Sequence, residues 1–315
     1  MLMSRKLRES PHLHGRVREL SQKLFIAYER AEDILAELEE LTVEKHAEPE
    51  TRLIVARSGN GKTAIARRLL RMFPPKNDPD APSAEFPVIR VLMPGRTTRR
   101  GVALEILRAL GQTRKPHTQT DDLLASALQV VRSLKVKTIL LDEFQHLNSG
   151  SAKEREQMRN EIKNLGDNCG VVVIGLGTET ALNVVNSEPQ FINRFETITL
   201  PIWRLDDETR YLIHNFEQSL GLQKESNLAE NDKFLTKLLK ESEGTIGAMH
   251  KILRRAAIYA MLSGEERINE KTLKEIDWVR PSARIMQSRL LMGIPVKTYG
   301  NKRTAMDDQT QAQAA

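Results

Sequence analysis

The chain has 315 residues, of which 40% are apolar, and it carries a formal net charge of +6. This length fits one large or two modest domains with a hydrophobic core, and the positive charge permits binding to nucleic acid. No apolar run approaches the roughly 18 residues of a membrane span, and the first residues, M-L-M-S-R-K-L-R, lack the apolar core of a signal peptide. A single cysteine, Cys169, excludes an internal disulfide. We therefore expect a cytoplasmic protein that does not contact membranes.

The N-terminal part of the chain is predicted to be helical over residues 15–46. Ile34, Leu35, Leu38 and Leu41 recur on one helical face, while acidic residues occupy most other positions. Such a helix either packs on the main domain or offers a docking surface to a partner. We treat residues 1–50 as an N-terminal helical appendage.

A phosphate-binding loop is predicted where the apolar run 53–56 leads into a turn that ends in G-K-T. A helix-forming run, A-I-A-R-R-L-L-R-M-F, follows at once. In this strand–loop–helix context, backbone N–H groups and the helix N-terminus converge on phosphate. In this interpretation, Lys62 reaches the β- and γ-phosphates of ATP, and Thr63 holds Mg²⁺. The nucleotide-binding residues of the loop are Ser58, Gly59, Asn60, Gly61, Lys62 and Thr63.

One position departs from the pattern G-x-x-x-x-G-K-[ST], because its first glycine is replaced by Ala56. A Cβ is tolerated there only where φ stays negative. Gly59 and Gly61, which are nearest the phosphates, keep the backbone freedom of glycine. The alternative to a phosphate loop is an accidental G-K-T in a turn.

Two basic connectors follow. After a second predicted strand, F-P-V-I-R-V-L-M-P, the segment G-R-T-T-R-R-G contains Arg96, Arg99 and Arg100. The segment G-Q-T-R-K-P-H-T-Q-T then precedes another predicted helix. Arginine, lysine and hydroxyl groups with few aromatics suit contacts to phosphates rather than stacking on bases. The alternative is an ordinary solvated surface.

A third strand, K-T-I-L-L-D-E-F, ends in two carboxylates. A continuous apolar run is typical of a parallel strand buried on both faces, and ligands bind at the carboxyl ends of such strands. In this Walker B interpretation, Asp142 helps to hold Mg²⁺, and Glu143 orients or activates the attacking water. The alternative is a strand that ends in an acidic helix cap.

A fourth strand, V-V-V-I-G-L-G-T, ends at Thr178, which either senses the nucleotide or caps the next helix. The segment Q-F-I-N-R-F-E-T-I-T-L-P adds a turn and a last strand, and the pattern is wholly helical from Asp206. We therefore predict an α/β core over 51–204, a helical lid over 205–280 and a poorly ordered tail over 281–315. The histidines are scattered, without the spacing of a metal site.

Together these segments resemble an AAA+ ATPase, a P-loop core with a parallel sheet flanked by helices and a C-terminal helical lid. More narrowly, the chain resembles the TniB family of transposon-encoded ATPases, which are related to TnsC-type transposition regulators. The segments that carry this resemblance are S-G-N-G-K-T (58–63), L-L-D-E-F-Q-H-L (140–147), G-L-G-T (175–178), N-R-F-E…L-P-I-W (193–203) and E-G-T-I-G (243–247).

The resemblance implies an ATP-dependent homo-oligomer, a ring or a helical filament, that assembles on double-stranded DNA. It would link a target-selection protein of the TniQ type to a DDE transposase. Arg194 in N-R-F matches the arginine that reaches the γ-phosphate of a neighbouring subunit; otherwise it is an exposed arginine in a turn. Arg100 and Thr118 match the DNA-contacting positions, with Arg99 and Lys115 as neighbours.

The lid departs from many AAA+ proteins, because G-A-M-H-K leaves His250 and Lys251 where an arginine is common. We assign no lid sensor and expect His250 to be a packed or surface side chain. Two other functions stay open: a scaffold that binds ATP and hydrolyses little, and an ATPase similar to replication initiators or clamp loaders.

Overall fold

A computed structural model of the chain describes residues 13–20, 25–44, 48–77, 84–113 and 117–293. Five strands form one sheet, in which every neighbouring pair is parallel and the order is β2-β3-β4-β1-β5. All residues of β3 and β4 are buried, which explains why these strands are continuously apolar. The strands are β1 (Thr51–Ala56), β2 (Val88–Leu92), β3 (Thr138–Asp142), β4 (Val172–Gly177) and β5 (Phe195–Leu200).

Helices cover both faces of the sheet. Leu53 and Ile139 face a hydrophobic cluster that includes the helices after β2 and β3, whereas Ile54 and Leu140 alternate with them and are buried on the other face. The helices of this region are α3 (Lys62–Met72), α4 (Arg99–Ala109), α5 (Thr120–Ser133), α6 (Ala152–Cys169), α7 (Leu182–Val185) and α8 (Pro189–Arg194). This parallel sheet between helices confirms the predicted fold class.

The part of the chain from Asp207 to Glu275 is mainly helical, as the sequence predicts. The Asp206 carboxylate caps the first of these helices by accepting a hydrogen bond from the Thr209 backbone N–H. The long third helix is buried along one side by Met249, Leu253 and Ala257. The four helices are α9 (Asp207–Gln218), α10 (Asp232–Ser242), α11 (Ile246–Ser263) and α12 (Glu270–Glu275).

The N-terminal part is not one continuous helix. It contains α1 (His14–Glu19) and α2 (Glu29–Val43), and residues 25–28 between them are neither helix nor strand. The prediction of a helix over 15–46 is therefore wrong at these four residues. Tyr28 is 6% exposed and packs edge-on against Trp203 with ring centroids 4.9 Å apart. Tertiary burial of these side chains thus overrides the helical pattern.

The described residues from Trp278 to Gly293 belong to a second compact unit. It contains α13 (Arg284–Leu291), and the Arg284 guanidinium lies 5.0 Å from the centre of the Trp278 ring. This helix lies in the predicted tail, whose residues 294–315 are outside the described ranges. Across the residues that the structure describes, no helix combines the length and apolarity needed to cross a membrane.

Candidate functional site

A cavity of about 360 Å³ opens where β1, β3 and β4 end. It is lined by all the residues that the sequence predicts for the phosphate loop, the Walker B strand and the end of β4: Ser58, Gly59, Asn60, Gly61, Lys62, Thr63, Asp142, Glu143 and Thr178. Three separate segments of the sequence therefore meet at one place, the carboxyl edge of the parallel sheet.

The loop after β1 has the backbone geometry of a phosphate cradle. Gly59 and Gly61 adopt φ of +77° and +97°, a region that favours glycine, and α3 begins at the next residue. Ala56 is the last residue of β1, and it pairs with Leu200 of β5 in regular strand conformation. The Cβ of Ala56 therefore causes no backbone strain, which explains how the loop tolerates the missing glycine.

Lys62 folds back over the loop that precedes it. Its Nζ donates hydrogen bonds to the carbonyl oxygens of Ala56, at 2.6 Å, and Arg57, at 3.2 Å. Burial lowers the pKa of Lys62, and the nearby carboxylates of Glu143 and Asp142 oppose that effect. The ammonium group thus lies between the loop and the acidic end of β3.

Asp142 is nearly buried and is held from two sides. Its Oδ1 accepts a hydrogen bond from the Glu143 N–H at 2.9 Å, and its Oδ2 accepts one from Arg90 Nε at 2.9 Å. Carboxylate and hydroxyl oxygens, supplied here by Asp142 and Thr63, are ligands that Mg²⁺ prefers. Sequence reasoning missed Arg90, although one arginine inside the apolar strand V-I-R-V-L was a signal.

Thr178 and Glu143 share a neighbour on this side of the cavity. The Gln145 amide accepts a hydrogen bond from the Thr178 N–H at 3.2 Å and donates one to Glu143 Oε2. The Thr178 hydroxyl makes no capping bond to the following turn and instead contacts the Thr180 hydroxyl at 2.9 Å. Thr178 therefore stands at the N-cap position of the turn Glu179–Ala181, and its backbone carbonyl, not its hydroxyl, accepts the hydrogen bond from the Ala181 N–H at 2.8 Å.

Asn60 joins the loop to two distant segments. Its side chain donates to the carbonyl oxygens of Leu200 and Pro201, at 3.3 and 2.7 Å, and accepts from the Ile246 N–H at 3.3 Å. Close by, the Gly247 N–H donates to the Gly59 carbonyl at 2.9 Å, and a Cβ on Gly247 would approach that oxygen to 2.7 Å. Hydrogen bonds to the segments around residues 200 and 246 thus hold the phosphate loop in place.

The other half of the cavity is aromatic and apolar, and sequence reasoning missed it. Its lining residues are Phe25, Ile26, Tyr28, Phe216, Ile246 and His250. Burial raises the pKa of Tyr28 to about 12. His250 stacks on Phe216 with centroids 5.4 Å apart, and burial lowers the pKa of His250, which keeps the ring neutral near pH 7.

None of the other described residues predicted to be functional lines this cavity. Arg194 forms a two-pronged ion pair with Asp167, at 3.0 and 3.2 Å. Arg99 pairs with Glu161 at 2.7 Å and with Asp121 at 3.1 Å.

The two predicted DNA-contacting connectors meet in the fold. Arg100 of the first connector donates a hydrogen bond to the Thr118 carbonyl of the second at 2.5 Å. Lys115, the remaining DNA-binding candidate, lies outside the described residues.

A family model described as Bacterial TniB protein matches residues 16–205. The chain belongs to the TniB family. This match confirms the resemblance inferred from the sequence. No curated protein matches this TniB chain.

Solved structures similar to this TniB chain share its fold at low sequence identity. The Aeropyrum pernix ORC1 protein in complex with DNA has a TM-score of 0.57 at 19% identity, covering 86% of this chain and 70% of that one. Cdc6p from Pyrobaculum aerophilum has a TM-score of 0.56 at 18% identity, covering 87% and 73%. The Thermotoga maritima RuvB Holliday junction branch migration motor has a TM-score of 0.51 at 15% identity, covering 85% and 76%. The TniB chain therefore has the AAA+ ATPase fold.

Proposed function

We propose that this TniB protein binds ATP with Mg²⁺ and hydrolyses it to ADP and phosphate. The observation that carries the proposal is the single cavity in which Lys62, Thr63, Asp142 and Glu143 converge. A cation, a hydroxyl and two carboxylates around a phosphate cradle are the groups that phosphoryl transfer to water requires.

The charged half of the cavity would hold the triphosphate. Backbone N–H groups of the loop and the N-terminus of α3 would bind phosphate oxygens, and Lys62 would turn from the loop carbonyls toward the β- and γ-phosphates. Bound at Thr63 and Asp142, Mg²⁺ would neutralise charge on the phosphates. The exposed Glu143 carboxylate would accept a hydrogen bond from the attacking water and orient it. Thr178 would contact the γ-phosphate region from β4.

The aromatic half would hold the adenine. Phe25, Tyr28 and Phe216 offer flat apolar surfaces, and purine rings bind well against such surfaces. The neutral His250 ring adds a further flat surface without charge. In this proposal, residues 25–28 act as part of the nucleotide site rather than as a separate appendage.

The decisive experiment compares Glu143→Gln with wild type. The variant should bind an ATP analogue with unchanged affinity. Its rate of phosphate release should fall by about 100-fold or more, because the group that orients water is lost. Glu39→Gln makes the same chemical change at an exposed position of α2 and serves as the control. Hydrolysis by Glu143→Gln at the wild-type rate would contradict the assignment.

We further propose that the ATP site is completed by a second copy, with Arg194 reaching the neighbour's γ-phosphate and residues 205–280 acting as a lid. Arg194 lies at the end of α8 with its side chain 33% exposed, so it can exchange Asp167 for another anion. Arg194→Ala should bind ATP normally and hydrolyse poorly. Mixing it with Lys62→Ala subunits should restore activity if the site is shared; no rescue at any ratio would argue against sharing.

The same protein would bind double-stranded DNA as an oligomer and link a TniQ-type protein to a DDE transposase. Membership of the TniB family and the contact between the two basic connectors support this. Phosphate contacts release counterions, so affinity should fall steeply with salt and depend little on sequence.

DNA binding is tested by fluorescence anisotropy over a salt series with an ATP analogue. Arg100→Ala should weaken binding and flatten the salt slope by about one unit. Arg108→Ala, on the same helix but 74% exposed, is the matched control. Equal affinity of wild type and the Arg99→Ala/Arg100→Ala double variant would show that these connectors are not part of the DNA site.

Transposition is tested by insertion assays with the two partner proteins, in which Glu143→Gln should change the yield of insertions.

A further inference from the structure

Gln145 makes two hydrogen bonds that connect the acidic end of β3 to the end of β4. Its Nε2 donates to Glu143 Oε2, and its Oε1 accepts from the Thr178 N–H at 3.2 Å. A backbone N–H can only donate and a carboxylate can only accept, so these two partners fix the orientation of the amide. No other uncharged side-chain type of this length offers a donor and an acceptor side by side.

The fold leaves room for this amide. A Cβ on Gly177 would lie 3.1 Å from Gln145 Oε1 and 2.4 Å from the Ala181 Cβ, so any larger residue at 177 would crowd the bridge. A Cβ on Gly175 would meet the Phe144 ring at 2.9 Å. The glycines of G-L-G-T thus allow the turn that carries Gln145 to pack directly on β4.

The turn itself is anchored on both sides. Phe144 and Leu147 are fully buried in the hydrophobic cluster. His146 Nδ1 lies 3.0 Å from the Met93 carbonyl, and the His146 carbonyl accepts from the Thr97 hydroxyl at 2.9 Å. Gln145 therefore starts from a backbone that tertiary contacts hold in place.

Glu143, in contrast, needs such a support. Its side chain is exposed to the cavity, and its backbone has φ of +60°, a region that residues with a Cβ seldom adopt. An exposed glutamate has several rotamers of similar energy. A hydrogen bond to Oε2 selects among them and leaves Oε1 available to water.

We propose that Gln145 is a positioning residue that holds the Glu143 carboxylate in the orientation needed for hydrolysis and ties it to the Thr178 backbone. The inference rests on the proposed ATPase function. Gln145 does not line the cavity, whereas Glu143 and Thr178 do. Gln145 therefore acts through its two partners and not through contact with the nucleotide.

The test uses the 315-residue chain and three variants. Gln145→Ala removes both hydrogen bonds. Gln145→Glu keeps the size and the acceptor to Thr178 but places a second carboxylate against Glu143. Gln129→Glu makes the same exchange at an exposed position of α5 and is the control. For each, the kcat for phosphate release is measured together with the Kd for an ATP analogue and the melting temperature.

Gln145→Ala should lower kcat by about 10- to 100-fold, the usual effect of losing a hydrogen bond that orients an active group, with Kd within about twofold of wild type. Gln145→Glu replaces the donor to Glu143 Oε2 by a carboxylate that repels it, so kcat should fall by a similar factor, again with little change in Kd. The control Gln129→Glu should match wild type in kcat and in Kd.

Several results would overturn the inference. Unchanged kcat in both Gln145 variants, while Glu143→Gln is inactive, would overturn this inference and leave the proposed ATPase function standing. A loss of kcat and affinity together in both variants would mean that Gln145 only supports the fold. If Gln145→Ala does not fold, the isosteric Gln145→Glu decides through its kcat and Kd. A wild type without ATPase activity would overturn the proposed function, and the inference with it.

Discussion

The two halves of the cavity are built in different ways. The charged half comes from short, contiguous segments at the ends of β1, β3 and β4, and each segment carries its own motif. The aromatic half comes from side chains up to 225 positions apart, from Phe25 to His250, brought together only by packing. Asn60 and Gly247 join the halves, because one hydrogen-bonds to Ile246 and the other to Gly59.

This difference teaches that local sequence and tertiary packing encode separate aspects of one site. Phosphate recognition depends on backbone geometry and charge, which a few neighbouring residues can supply. Recognition of a base needs flat apolar surfaces, which many side chains from any part of the chain can provide. We therefore expect substitutions in the two halves to affect the triphosphate and the base separately.

The largest expected effect is on the charged half. Lys62→Ala should weaken ATP binding by about 100-fold or more, because the phosphates lose a charged hydrogen-bond donor. Tripolyphosphate should lose affinity by a similar factor, since the effect concerns phosphate alone. Calorimetric titration measures both. Lys240→Ala, a charge removal at an exposed position of α10, should change neither, and unchanged ATP affinity in Lys62→Ala would show that phosphate binds elsewhere.

The junction between the halves should give the next largest effect. Asn60→Ala leaves two carbonyl oxygens and the Ile246 N–H without their side-chain partner, which should cost about 1–3 kcal/mol of unfolding free energy. The affinity for ATP should fall together with the stability, because the two halves of the cavity are no longer held in position relative to each other. Asn60→Asp keeps the acceptor for Ile246 but sets a buried carboxylate against the carbonyl oxygens of Leu200 and Pro201, so it should be at least as unstable as Asn60→Ala. Chemical denaturation and nucleotide titration report the two effects, and wild-type values for both in Asn60→Ala would contradict the role of this junction.

A smaller effect is expected from the aromatic half. Tyr28→Ala removes one apolar wall and should weaken ATP binding by about tenfold, the order expected for one stacking contact. Tripolyphosphate should bind as it does to wild type, which is the reverse of the pattern for Lys62→Ala. Tyr28→Phe keeps the ring and is the control. If tripolyphosphate weakens as much as ATP, then Tyr28 supports the whole cavity and not the base.

The smallest effect concerns the contact between α1 and the helical region after Asp206. The Arg16 guanidinium, bonded to Glu266 at 2.7 Å, holds the pKa of that carboxyl below its usual range. This contact therefore stabilises the fold above the pKa of an unfolded glutamate, about 4.3, and is lost as the pH falls through the lowered folded value. Glu266→Gln should reduce the free energy of unfolding by at most about 1 kcal/mol near pH 7.

Urea unfolding from pH 3 to pH 7 checks this prediction. The difference between wild type and Glu266→Gln should shrink toward pH 3, because the protonated glutamate then resembles glutamine. Glu265→Gln, one position earlier, gives a comparison without the Arg16 ion pair. A difference that persists at pH 3 would mean that the ion pair is not its cause.

Sequence patterns predicted most of the fold and the charged half. The apolar strands T-I-L-L-D and V-V-I-G-L-G and the G-K-T turn have local causes, namely burial on both faces and backbone freedom at Gly59 and Gly61. The helix over residues 25–28 was predicted wrongly, because burial of Tyr28 against Trp203 is invisible to helical periodicity. Arg90 and Gln145 were missed, since each acts through a partner on another strand or turn. Their signals were an arginine in an apolar strand and a glycine at 177 that makes room.

The Tyr28 side chain has a further consequence for chemical control of the protein. P-loop motifs are shared by many ATPases, so compounds directed at the phosphate cradle would seldom discriminate among them. The wall formed by Phe25, Ile26 and Tyr28 lies outside those motifs. Shortening Tyr28 to alanine would open a hole against this wall, into which an ATP analogue with an enlarged base could fit. Such an analogue would bind only to the Tyr28→Ala subunits in a mixture, because the Tyr28 ring of the wild-type copies would block its enlarged base.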